Sequence, residues 1–235
     1  MNLTPEQLFL FRHNGFLQLP IQLSQAEVTE LQQAIWHDIR QEIEPVNRDR
    51  NGQVVRISNL WDRKSVFQSV LASDRLLDLL ESLLGPNIEF VKNRHNHATL
   101  RGAQDSSYGI HRDILQWTRT IVTVIFYLQE TTIENGCTWV IPGSHLFPAI
   151  EANQMDSAGP LAKSGAMAQK LPVPMPAGGM LVIDSMLMHT AGVNQTKGTR
   201  MSMTAGYHSV DELSGMDNPR RALVRGDRIY RGNDA

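Results

Sequence analysis

The chain of 235 residues balances 22 Lys and Arg against 24 Asp and Glu, a formal net charge of -2. That length is enough to bury one core able to hold a rigid site, and so balanced a charge offers no broad field for nucleic acid or an anionic membrane, so a small-molecule partner is expected. Cys137 is the only cysteine, which excludes an internal disulfide and a cysteine-rich zinc site and leaves His and carboxylate as the metal-binding side chains.

The opening MNLTPEQLFLFRHNGFLQLP lacks the basic start and uninterrupted apolar run of a secretion signal. No later stretch reaches the ~18 apolar residues of a membrane span, so a cytoplasmic protein is expected, folded as one domain over 1–235 with a helical part over about 1–87 and a β part over about 88–210. Thr4 to Asn14 carries an apolar stripe behind a Thr-Pro-Glu start and ends at Gly15, and Ser24 caps a second periodic run through Ile39. Asn47–Gly52 contains an Asn-Gly step that predicts a hairpin turn flanked by Val54–Ile57. A third helix is predicted from about Ser73 to Leu84, with six leucines on a broad face and a stop at Gly85-Pro86.

From Ile88 the texture changes to short strand-like runs over 88–98, 119–129, 137–141, 171–173, 180–184 and 200–209, the pattern of a sandwich or jelly roll. Glu151 to Gln169, rich in Ala, Gly and Ser, reads as a mobile insertion.

His111-Arg112-Asp113 places two ligand types at i and i+2, which share a face in an extended strand. His189, far along the chain after the strand-like Met180–Asp184, supplies a third. Two imidazoles and a carboxylate on one face of an octahedral ion leave three positions open, the arrangement of iron(II) oxygenases. The tripeptide alone is common by chance, but Arg200-Met201-Ser202 follows His189 closely and is a second i, i+2 pair. Its guanidinium can receive a carboxylate in bidentate fashion, with the Ser202 hydroxyl as a further donor.

These residues resemble the phytanoyl-CoA dioxygenase family of 2-oxoglutarate-dependent oxygenases. The resemblance is clearest in three blocks: Tyr108 to Asp113, Glu134 to His145, and Asp184 to Ser202. It implies a mainly β fold with N-terminal helices, the double-stranded β-helix or cupin-type jelly roll, with Fe(II) on His111, Asp113 and His189 and with 2-oxoglutarate and O2 as co-substrates. Arg200 and Ser202 would hold the far carboxylate of 2-oxoglutarate. Thr123, Asn96 and Trp117 match positions beside the co-substrate and metal, and His145 matches a supporting turn rather than a ligand. Halogenating relatives carry a small residue in place of the metal carboxylate, so Asp113 points to hydroxylation or another two-electron oxidation such as oxidative cyclisation.

For the substrate wall, Lys92, Arg94 and His95 share a run with Asn96, while Arg56, Trp61, Tyr207 and His208 flank the hairpin or the Arg200 strand. These polar and cationic candidates favour an oxygenated metabolite, such as a sugar-derived natural product of a biosynthetic pathway. Two rivals stand beside this reading: a zinc or manganese hydrolase or isomerase of the cupin type, and a non-catalytic jelly roll that binds 2-oxoglutarate or metal.

Overall fold

The computed structural model describes residues 1–103, 109–114, 121–147, 163, 165–210 and 219–227. Trp117 and most of the segment expected to be a mobile insertion lie outside them.

Helix α1 (Pro5–Asn14) starts because the Thr4 side chain accepts from the Gln7 backbone N–H while the Gln7 side chain returns to Thr4. It stops at Gly15, whose φ of 80° is left-handed and whose absent Cβ would lie 2.4 Å from His145 Nδ1, so only glycine fits there. Ser24 and Glu27 close a second capping box on α2 (Gln25–Arg40). A short α3 (Ser65–Leu71) precedes α4 (Asp74–Leu84), which buries Leu76, Leu77, Leu79, Leu80 and Leu84.

The helical third is not purely helical. β1 (Phe16–Gln22) pairs along β9 (Gly179–Asp184), and the hairpin of β2 (Val46–Arg48) and β3 (Val54–Ser58) joins the sheet through β5 (Asn96–Arg101). The larger sheet runs β1-β9-β6-β11-β5-β3-β2, where β6 is Ile121–Tyr127 and β11 is Arg200–Ser209. Beside it β4 (Ile88–Val91) pairs with both β11 and β12 (Arg221–Arg225). A smaller sheet, β10-β7-β8, combines His189–Ala191, Thr138–Val140 and Leu171–Val173. The two sheets form the expected jelly roll.

Strand alternation divides the larger sheet into two surfaces. Its outer face, with Val122, Val124, Phe126, Val182, Met201, Met203, Ala205 and Tyr207, packs under the helices in one core. Its inner face meets the small sheet through Ile125, Tyr127, Leu181 and Ile183 against Val140, Val173 and Leu187. Pairing of Arg200 with Arg101, Ser202 with Thr99, Thr204 with His97 and Gly206 with Thr123 puts those residues on the inner face too. The polar chemistry therefore collects on the side away from the helices.

Candidate metal centre

His111-Arg112-Asp113 does not form the extended strand expected of it. His111 makes one isolated bridge, its N–H and C=O bonding those of His189 at 3.0 Å each, and the chain then bends so that the N–H groups of Asp113 and Ile114 both donate to Ser185 O. Backbone pairing to two points around the β9–β10 turn, rather than strand alternation, thus brings the three side chains together.

Each imidazole is locked by its own backbone. His111 Nδ1 lies 2.9 Å from Gly109 O and His189 Nδ1 2.9 Å from Leu187 O. A carbonyl only accepts, so both Nδ1 atoms carry a proton, which leaves Nε2 as the ligating atom of each neutral ring. The two rings stand 4.5 Å apart. Their Nε2 atoms face the same oxygen, Asp113 Oδ1, at 4.0 and 3.7 Å, and the ligand atoms of the trio all lie within 4.8 Å of one another. The other oxygen, Oδ2, accepts from Thr123 Oγ1 at 2.7 Å, and Thr123 is itself 3.1 Å from Ser185 Oγ.

Burial alone would raise the Asp113 carboxyl, but the neighbouring His189 and His95 rings and the Thr123 hydrogen bond outweigh it and hold the group below its ordinary value, so it is an anion. Burial, aided by His189, lowers His111, so that ring is neutral. Two imidazole Nε2 atoms and a carboxylate oxygen are the donor set that suits a first-row divalent ion, and they fit Fe(II).

Arg200 is buried on the inner face, its Nη1 donating to Gly136 O in the Asn135-Gly136 turn, and Ser202 lies half-buried two residues on along the same face. Arg56 on β3 reaches His97 Nδ1 at 3.0 Å, and His97 Nε2 reaches Thr204 Oγ1 at 2.8 Å. A guanidinium only donates, so His97 carries its proton on Nε2 and gives it to Thr204. Arg94 is exposed at the rim, within electrostatic reach of His95.

Four expected site residues lie elsewhere. Asn96 opens β5 opposite Ala205, on the helix side, and its amide is engaged by the Trp61 N–H and by Lys92 O. Trp61 stacks on Phe90 at 4.8 Å in the outer core. Tyr207 also belongs to that core, its hydroxyl donating to Leu71 O. Lys92 pairs with the exposed Asp62 at 3.1 Å beside Trp61. Asn96 and Tyr207 are turned from the metal face by strand register, while Trp61 sits in the short helical turn Leu60–Asp62 and Lys92 in the turn after β4. His208, also weighed for the substrate wall, is buried against Glu89 at 3.1 Å. His145 donates from Nε2 to Arg12 O near the end of α1, a supporting contact. His95, by contrast, brings its Nε2 to 3.3 Å from Asp113 Oδ1, a contact that no sequence spacing signals.

Residues 11–202 match the phytanoyl-CoA dioxygenase family, PhyH. Dioxygenase af480 of Aspergillus fumigatus is 28% identical over 93% of this chain and 70% of its own, and human peroxisomal phytanoyl-CoA dioxygenase is 21% identical over 89% and 69%. Among solved structures, the non-haem alpha-ketoglutarate-dependent epimerase SnoN of nogalamycin biosynthesis superposes with a TM-score of 0.77 at 20% identity, covering 94% of this chain and 96% of that one. The carbocyclase SnoK of the same biosynthesis gives 0.76 at 19%, with the same coverage. With four-fifths of its length matched, the chain belongs to the phytanoyl-CoA dioxygenase family and is a 2-oxoglutarate-dependent non-haem iron dioxygenase.

Proposed function

We propose that His111, Asp113 and His189 hold Fe(II), that Arg200 and Ser202 receive the far carboxylate of 2-oxoglutarate, and that the enzyme hydroxylates or oxidatively cyclises an oxygen-rich small metabolite. The observation that carries this is the convergence of two imidazole Nε2 atoms on Asp113 Oδ1, beside a sheet face that also bears the buried Arg200. When bound, the iron and its co-substrate couple reduction of O2 and decarboxylation of 2-oxoglutarate to succinate with a two-electron oxidation at a substrate C–H bond. Around that chemistry the chain orients and excludes. Thr123 turns Asp113 so that Oδ1 faces the imidazoles, Arg200 fixes one end of the dicarboxylate, and Ile125, Ile183 and Leu187 keep water from the inter-sheet space. Thr123 is spent on the metal carboxylate here, so its contribution to co-substrate binding runs through Asp113. With that carboxylate in place, no site is left for a halide ligand.

The substrate class is supported by the lining. A cavity of about 1280 Å³ lies between α2 and the β2–β3 hairpin, bordered by Trp36, Arg40, Arg48 and Arg50. It shares Arg56 and Thr99 with the inner face, and its arginines suit an acceptor-rich molecule. SnoN and SnoK belong to nogalamycin biosynthesis, which supports a natural-product substrate.

The test supplies Fe(II), ascorbate and 2-oxoglutarate under air with a panel of glycosylated and polyhydroxylated metabolites, and measures succinate. Succinate is expected from the wild type and none from His111→Ala. Arg200→Lys, which keeps the charge but loses the fork, is expected to raise the KM for 2-oxoglutarate by roughly 10-fold or more. Undiminished succinate from His111→Ala would end the assignment.

A further inference from the structure

Asp113 is gripped from two sides, and only one grip is explained by the metal centre as drawn so far. On the inner face Thr123 of β6 lies directly opposite Gly206 of β11. A Cβ on Gly206 would stand 3.4 Å from Arg94 O and 3.7 Å from His95 Cβ. Glycine therefore leaves the ground between Thr123 and His95 bare. Across that ground both neighbours reach the same carboxylate: Thr123 Oγ1 takes Oδ2 at 2.7 Å, and His95 Nε2 stands 3.3 Å from Oδ1.

The backbone marks His95 independently. Its φ is +48°, a left-handed conformation that a β-carbon disfavours, in the turn between β4 and β5. Such strain persists where the surroundings require it, and here it lifts the ring over Gly206 toward Asp113. The ring is largely buried, so its contact with Asp113 is shielded from water. Geometry argues against a fourth ligand. The donor atoms lying within 4.8 Å of one another belong to His111, Asp113 and His189, without His95, and ligands of one octahedral ion stand closer than that.

We infer that His95 is a positioning residue of the metal centre, donating Nε2–H to Asp113 Oδ1 so that His95 and Thr123 together clasp both oxygens and hold the carboxylate for one-oxygen ligation. The inference rests on the reading that His111, Asp113 and His189 bind a divalent cation. Gly206, which has no side chain, lies opposite Thr123 and next to the turn that carries His95.

The experiment titrates Co(II) alone into metal-free protein by calorimetry and records the Co(II) d–d spectrum. His95→Asn keeps a residue that tolerates the left-handed backbone but cannot reach Asp113, and is expected to weaken Co(II) about 10-fold. His95→Gln places an amide N–H near the position of Nε2 and is expected to bind within about 3-fold of wild type with unshifted bands. His95→Gly, equally permissive of the backbone, repeats the truncation if the Asn variant does not fold. Wild-type affinity in the truncated variant, or a Gln variant as weak as Asn, overturns the clasp, and shifted bands in the Gln variant would make His95 a ligand instead. Failure of the underlying reading looks different: wild-type protein would not bind Co(II), or His111→Ala would bind it equally well.

Discussion

At Asp113 the two carboxylate oxygens are engaged differently, Oδ2 by Thr123 and Oδ1 by the imidazoles. Removing the hydroxyl while keeping the shape, as in Thr123→Val, leaves a buried carboxylate without its donor. Metal affinity should fall by roughly 10- to 100-fold, as for other groups that orient ligands, while the far-UV spectrum is unchanged. An unaltered dissociation constant would show that the hydroxyl does not aim the carboxylate. His97 gives a pH dependence whose sign follows from its environment. Burial, with Arg56 alongside, drops its pKa from 6.5 to about 3. Above pH 6.5 the ring is neutral folded or unfolded, whereas between 6.5 and about 3 the unfolded chain binds a proton that the folded protein refuses, so stability falls as the pH drops. Urea midpoints of metal-free protein between pH 7 and 5 should decline less steeply in His97→Gln than in wild type, and parallel slopes would count against this account. The clustering of His111, Asp113 and His189 and the shared face of Arg200 and Ser202 were legible because residue type and local spacing carry the message. That Asn96 and Tyr207 point to the helix side was not legible, because a strand shows which residues alternate but only register shows which set faces the site, and Trp61 lies in a helical turn outside any strand. The Thr123 and His95 contacts depend on that register and on a left-handed turn, neither of which leaves a pattern in the sequence.

Among the elements, α2, β3 and the loop between them are fastened at one buried ion pair. Arg63, 6% exposed, donates to Asp38 Oδ2 at 3.1 Å and to the carbonyls of Ser58, Ile43 and Pro45. Lys64 holds the other Asp38 oxygen at 2.8 Å. Burial would raise Asp38, but its bonds to Lys64, His37 and Arg63 outweigh that and hold it below 3.8. Its contribution is therefore full above about pH 4 and is lost as acid protonates the folded carboxylate. Arg63→Met removes the donor to Asp38 Oδ2, leaving Lys64 and His37 on Oδ1, and leaves three carbonyls without it, and should cost about 1–3 kcal/mol in chemical denaturation; a change near zero would mean that the loop rearranges to satisfy them. The pair was invisible in the sequence because its members come from separate elements. The three capped helices were plain from their Thr-Pro, Ser-x-x-Glu and Gly-Pro boundaries. β1 was missed because Pro20 interrupts its apolar run, and the structure tolerates proline there because β1 is an edge strand whose register slips between Gln18 and Gln22. α3 and β10 are too short for a period to declare itself.

Over the whole molecule, the proposed metal ligands are assembled only when the larger sheet and the small one have closed on each other. The unfolded chain has no equivalent site, so the ion adds stability by mass action, about 2.7 kcal/mol at a free concentration 100 times its Kd. For a protein of this size, that is a rise in Tm of roughly 5–10 °C. Stripping the metal with a chelator should lower the melting point by this amount, and restoring Co(II) or Fe(II) should recover it; a melting point indifferent to metal would argue against a shared site. The backbone bridge between His111 and His189 gives this a further consequence. An ion seated on that bridge is a cross-link closing a long ring of chain, but unlike a disulfide it joins the ring only after folding and can be withdrawn without breaking a covalent bond. The holoenzyme should therefore resist proteases and hydrogen exchange most strongly along the seam between β10 and the His111 segment, and that seam should be the first to open when iron is scarce.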